Sequence, residues 1–186
     1  MIFPKDRRIL TFMKRSFQNK KPSINPNSYC DETALIIGAC SIGSKTSIWP
    51  YAVLRADVQA ITIGQQTNIQ DGTIIHCASK ALTPPNGMPC IVGNRVTIGH
   101  QVILHACHVM DDCLIGMGSI VMDGSTIQAN TILGARSLVT ENQILESGYL
   151  YLGSPAKKIR RLTKKEEEHI QTSATHYCQL AKESYG

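Results

Sequence analysis

Aromatic residues are scarce in this 186-residue chain, at 5% with a single tryptophan, although hydrophobic residues reach 42%. An interior short of rings has to be built mainly from Ile, Val, Leu and Ala, which suits narrow, regularly layered β structure. Long apolar runs are missing as well: none approaches the ~18 residues of a membrane span. No Cys-x-x-Cys pair occurs, and the seven cysteines, Cys30, Cys40, Cys77, Cys90, Cys107, Cys113 and Cys178, are odd in number. The chain is also too long for a disulfide-stapled minidomain, so the thiols are expected to be small buried apolar groups in a reduced cytoplasm. The opening DRRILTFMK has paired arginines, but its short apolar stretch ends at Lys14 without a small-residue cleavage site. A secretory signal needs both, and none is expected.

Negative charge is in the minority, and the formal balance is +5. The excess sits in two runs, Lys5 to Lys21 near the start and Lys157 to Lys165 near the end. No recognition motif or interleaved aromatic residue accompanies them, so they read as solvated faces rather than a nucleic-acid surface.

What the chain does have is an internal repeat. Aliphatic residues recur every six positions at Ile63, Ile69 and Ile75; at Val92, Ile98 and Leu104; and at Ile115, Val121, Ile127, Leu133 and Val139. Gly64, Gly93, Gly99, Gly116 and Gly134 each follow one of them, and Ile37-Gly38, Ile42-Gly43 and Ile48 extend the pattern upstream less regularly. Leu104 and Ile115 are eleven apart, so one repeat is a residue short. A period of six fits neither a helix at 3.6 residues per turn nor an alternating strand. It fits a short strand, a corner and another short strand, with one inward aliphatic residue per side. Three sides close one coil of a triangular β-solenoid, and stacked coils bury continuous aliphatic columns. Glycine and asparagine at the corners are expected to supply the positive φ of tight turns.

Past the repeats, Thr163 and Glu166 form a capping box, and Ile170, Ala174, Tyr177 and Ala181 make one helical stripe. A C-terminal helix laid along one face of the prism is expected. The organisation reads as a basic N-terminal arm over 1–27, a β-helix domain over 28–153, and a connector with the helix over 154–186.

Three of the six histidines, His100, His105 and His108, fall within VTIGHQVILHACHV. Assigning Ile63, Ile69 and Ile75 to sides one, two and three, and resuming at Val92 after the Pro/Gly-rich loop Cys77 to Cys90, stacks Leu104 on Ile75. His76 and His105 follow those residues, so they point outward from equivalent positions on rungs ~4.8 Å apart, within reach of a common ion. His100 follows Ile98 on side two, near another corner. It can join that ion only if a second copy packs against side three, as a cyclic trimer allows. Three histidines with an open position make a usual catalytic zinc site. His108 reads as an outward surface residue, and His169 and His176 on the terminal helix as non-ligands.

The stretches VLRADVQAITIGQQTNIQDGTIIH, VTIGHQVILHACHVMDDCLIGMGSIVMDG and YLGSPAKKIRRLT resemble the γ-class carbonic anhydrases, from about Ser28 onward. The repeat itself resembles the hexapeptide-repeat superfamily, whose fold is a left-handed parallel β-helix. The handedness comes from the resemblance. By the same resemblance His76, His100 and His105 hold Zn2+, with Fe2+ an alternative, at the interfaces of a cytoplasmic homotrimer. Arg55 and Asp57 match a pair near the metal, and Gln70 matches a glutamine bonded to the metal-bound hydroxide. Asn68 and Asp71 belong to the same polar cluster, with Asp71 ordering Arg55 and Asn68 alternatively satisfying backbone at a corner; separately from the resemblance, Tyr177 on the helix either packs there or offers a hydroxyl. The implied reaction is reversible hydration of CO2 to bicarbonate, with no nucleic acid or membrane as partner. Two features depart from the pattern: the loop Cys77 to Cys90 has no acidic residue where archetypal members carry glutamates that shuttle protons, and Ala56 stands where glycine is usual. Two alternatives follow. One is a hexapeptide-repeat acyltransferase using acetyl-coenzyme A, with His105 as general base and GSPAKKIR against the cofactor. The other is a metal-binding homologue with little hydratase activity.

Overall fold

A computed structural model describes residues 14–81 and 85–183 of the chain. The arm residues Lys5, Arg7 and Arg8, and positions 82–84 of the loop, lie outside the described residues. Within them the chain winds as a left-handed parallel β-helix with one C-terminal helix.

The strands are mostly two or three residues long, and all but the last pair in parallel with the strand one coil away; Lys157–Arg161 returns antiparallel along Tyr149–Leu152. Side one stacks Ile42, Ile63, Val92, Val109, Ile127 and Leu145. Side two stacks Cys30, Ile48, Ile69, Ile98, Ile115, Leu133 and Tyr151. Side three stacks Ile36, Leu54, Ile75, Leu104, Val121 and Val139. Apart from Cys30 these residues are buried and form the core. The short repeat is visible: Val109 takes its inward place five residues after Leu104, not six.

The upstream pattern needs a correction. Ile36 faces the core and Ile37 faces out, in register with Arg55 and His76. Ile36, Ile42, Ile48 and Leu54 therefore keep the period of six more strictly than the Ile-Gly pairs imply. The eleven-residue strand Val53–Ile63 then runs through a corner and serves two sides, with its partner's register shifting between Gly38 and Cys40.

The role of the repeated glycines also differs from expectation. Positive φ falls mostly on other residues, such as Lys45 at 57° and Gln66 at 54°, alongside Asn130 and Asn142. Gly64 is needed for close approach instead. A Cβ there would stand 2.5 Å from the Gly93 carbonyl, one coil on. Adjacent corners can stack at strand spacing only because that atom is missing.

The helix α1 (Lys164–Glu183) opens on the expected box: the Glu166 N–H donates to Thr163 Oγ1 and the Thr163 N–H to Glu166 Oε2, at 3.3 and 2.8 Å. The Arg160 guanidinium, with the Thr163 hydrogen bonds, lowers the Glu166 carboxyl to about 2. Ile170 and Ala174 are buried against side two, and Ser173 meets Thr97 at 2.9 Å. Among the described residues no helix lies on side three. Its outward ladder Val53, Ile74, Ile103, Ile120 and Leu138 is aliphatic throughout, with Ile74 45% and Ile103 38% exposed.

Gly64→Ala is expected to lower stability by about 1–3 kcal/mol through overpacking against immobile backbone. Urea unfolding at matched protein concentration checks this; an unchanged midpoint contradicts the close-approach argument.

Candidate metal centre

His76 ends the strand Ile74–His76 and His105 ends Ile103–His105, and the two residues are register partners. The cause is the inward burial of Ile75 and Leu104, which turns the next side chain outward on both rungs. The rings lie 5.1 Å apart by centroid, and His76 Nδ1 faces His105 Nε2 at 3.1 Å.

Each imidazole is gripped on its other nitrogen by a carboxylate. His76 Nε2 lies 3.0 Å from Asp57 Oδ1, and His105 Nδ1 lies 2.5 Å from Asp123 Oδ1. A carboxylate only accepts, so the ring nitrogens facing Asp57 and Asp123 are the N–H donors. The two inner nitrogens are then left with lone pairs aimed at each other. A bound cation relieves the facing lone pairs, as does a single shared proton in an N–H···N hydrogen bond at this distance. A tetrahedral zinc with bonds of ~2.0–2.1 Å separates its ligand nitrogens by roughly 3.3 Å, close to the spacing here. The residues present therefore fit a metal ion.

Arg55 binds the other oxygen of Asp57. Burial pushes the Asp57 carboxyl up, but hydrogen bonds from His76 and Arg55 and the Arg55 charge outweigh it and hold the group below its ordinary value. Asp57, His76 and Cys77 also bring ligand-type atoms within 4.8 Å of one another. Cys77 is no rival ligand. Its buried thiol donates to the Gln59 carbonyl at 3.1 Å, and burial raises its pKa above the ordinary thiol value. Cys107, close to His105 in sequence, points into the core 3.9 Å from Cys90.

The remaining candidate residues gather at the other end of side three. His100 Nδ1 lies 3.0 Å from Asp71 Oδ2, with both side chains about half exposed. Gln70 is buried and donates from Nε2 to Asn68 Oδ1 at 3.0 Å; Asn68 donates in turn to Thr97 Oγ1. Tyr177 of α1 reaches the same corner. Burial and the Asp71 charge raise its pKa, against a hydrogen bond with Gln70. Its ring meets Trp49 edge-on at 5.7 Å.

The chain thus carries two polar clusters on two corners, separated by the strand Ile103–His105. One holds Arg55, Asp57, His76 and His105; the other holds Asn68, Gln70, Asp71, His100 and Tyr177. His108 faces outward from side one, in register with Ile91 and Thr126. His169 and His176 are exposed on α1. Sequence reasoning missed Asp123. The stacking arithmetic that paired the histidines puts Met122, not Asp123, level with His105, because Leu104 pairs with Val121, so the repeat leaves no signal for it.

No protein-family model matches the chain. Protein YrdA of Escherichia coli is 41% identical over 163 residues, covering 88% of this chain and 89% of that protein. The Geobacillus kaustophilus carbonic anhydrase is 37% identical, covering 88% of this chain and 86% of the relative. The mitochondrial gamma carbonic anhydrase 2 of Arabidopsis thaliana is 38% identical, and the match spans 58% of that longer protein. A solved structure of a hexapeptide transferase family protein from Anaplasma phagocytophilum superposes with a TM-score of 0.85 at 38% identity, covering 92% of this chain and 97% of that one. With period, fold and relatives in agreement, the chain belongs to the γ-class carbonic anhydrase-like family of hexapeptide-repeat β-helix proteins.

Proposed function

We propose that the protein is a carbonic anhydrase, hydrating CO2 reversibly to bicarbonate at metal sites shared between the subunits of a homotrimer. The observation that carries this reading is the facing pair of imidazole nitrogens, 3.1 Å apart and each backed by a carboxylate. His76 and His105 supply two ligands, and His100 of a neighbouring copy supplies the third. Zn2+, when bound, acts as a Lewis acid that brings the pKa of a coordinated water towards ~7. Imidazole accepts Fe2+ as well, and availability decides between the two.

The chain's own residues do the rest. Arg55 neutralises Asp57, which holds the His76 ring in one orientation. Asp71 holds His100 for delivery to a neighbour. The Gln70 carboxamide, fixed through Asn68 and beside Tyr177, presents a polar group where substrate enters. Side three supplies the means of assembly: its aliphatic ladder lies between the two half-sites of each chain. Burying it against a second copy removes apolar surface from water and brings a foreign His100 corner to the histidine pair. Cytoplasmic residence fits the seven unpaired thiols.

The Anaplasma relative's transferase name supports a second reading, an acyltransferase taking acetyl-coenzyme A. A lone general base at His105 needs no second imidazole facing it, and equilibrium binding of acetyl-coenzyme A separates the two readings.

Anaerobically purified protein is expected to carry one zinc or iron per chain by elemental analysis and to hydrate CO2. His105→Ala should lower kcat/KM by at least ~100-fold, since removing a metal ligand removes the Lewis acid. Metal without hydration would instead indicate a binding homologue; acetyl-coenzyme A binding without metal would support the transferase. Ile103→Asp places a charge in the ladder and is expected to yield monomers by sedimentation, with metal lost in parallel. A metal-loaded monomer contradicts the shared site. Because no acidic side chain lies in the loop Cys77 to Cys90, proton release should depend on external acceptors. The rate at saturating CO2 is expected to rise several-fold with the concentration of a buffer of pKa near 7.

A further inference from the structure

The carboxylate of Asp123 has a role that the hydration reading leaves open. It lies one rung beyond His105, just past Val121, which stacks on Leu104. Its Oδ1 meets His105 Nδ1 at 2.5 Å, and its side chain is 24% exposed. Among the described residues no lysine or arginine pairs with Asp123, in contrast to Asp57, which Arg55 neutralises. One oxygen of this carboxylate is therefore committed to a single imidazole.

We propose that Asp123 is the positioning residue of the metal centre, fixing His105 in the Nδ1–H tautomer so that Nε2 is offered as a ligand. The inference rests on the metal reading above. In an unconstrained neutral imidazole the proton occupies either nitrogen, and the hydrogen bond made by one nitrogen sets the state of the other. With Nδ1–H donating to Asp123, the Nε2 lone pair points at His76 Nδ1. The partner ring is held in the opposite sense: Asp57 takes the proton of His76 on Nε2 and leaves Nδ1 free. The two carboxylates thus polarise the histidines from opposite ends, and the ligand atoms converge without rotation of either ring.

Substitution at this position leaves the backbone ladder its partners. The Asp123 backbone carbonyl accepts from the Asn142 N–H at 2.9 Å, a bond that survives any side-chain change. Full-length wild-type protein, Asp123→Ala and Asp123→Asn are compared in two measurements. The first is the ¹⁵N tautomer signature of His105 in metal-free protein. Wild type is expected to show protonated Nδ1, Asp123→Ala a mixture of tautomers, and Asp123→Asn, whose amide oxygen still accepts, the wild-type pattern. The second is zinc affinity by competition with a chelator. Asp123→Ala is expected to bind 10–100-fold more weakly, and Asp123→Asn to recover most of the loss. A wild-type His105 protonated on Nε2, or equal zinc affinity in wild type and Asp123→Ala, overturns the proposal. Wild-type protein that binds no zinc or iron overturns the metal reading instead, and the tautomer measurement then decides the role of Asp123 alone.

Discussion

Every functional contact in this protein depends on parallel stacking in register. One coil lies on the next at the ~4.8 Å strand spacing, with aliphatic side chains on the inside of each rung. That spacing turns a distance along the chain into a contact in space. Ile75 and Leu104 are held over each other by burial, and His76 and His105 follow them to the surface as neighbours. Neither histidine has any local reason to face the other. The twenty-nine-residue separation closes only because the loop from Cys77 to Cys90 is accommodated at a corner, leaving the register above and below unbroken.

The same stacking places severe demands on the corners. A glycine such as Gly64 stands where a methyl group would strike the backbone of the next coil. Polar corner residues tie adjacent rungs sideways: Asn94 binds Asp111, and Arg95 grips Asp112, which also receives Gln171 of α1. The helix is thereby fastened to side two, with Ile170 and Ala174 buried beneath it. Side two is covered, and side three is left as an apolar ladder. Five of the cysteines are core residues, and burial, with the Cys90 contact at Cys107, holds the thiols of Cys40, Cys77, Cys107 and Cys113 above the ordinary thiol range.

Carboxylates, more than histidines, give the site its directionality. Asp57, Asp71 and Asp123 each take one nitrogen of one ring, at His76, His100 and His105 respectively. A ring held at one end can offer only the other. Each histidine therefore lies beside its own carboxylate, on one or the other of two separate corners.

The spacing of six, read from the residues alone, was enough to establish the solenoid, the stacked pair His76 and His105, the loop that interrupts the coils and the capped helix. Those features are legible because burial of an aliphatic residue every sixth position has one consistent geometric solution. The pattern misled at Ile37, where two adjacent isoleucines fit the period almost equally and only the packing of Ile36 inside the prism breaks the tie. It also misassigned the glycines, because steric closeness between coils is a contact between residues twenty-nine apart at Gly64 and Gly93 and leaves no local trace. Asp123 at His105, Tyr177 at Gln70 and the confinement of His100 to Asp71 were decided by the tertiary structure. Side-chain direction beyond the strand ends depends on rotamer and corner conformation, which a repeat of aliphatic residues does not encode.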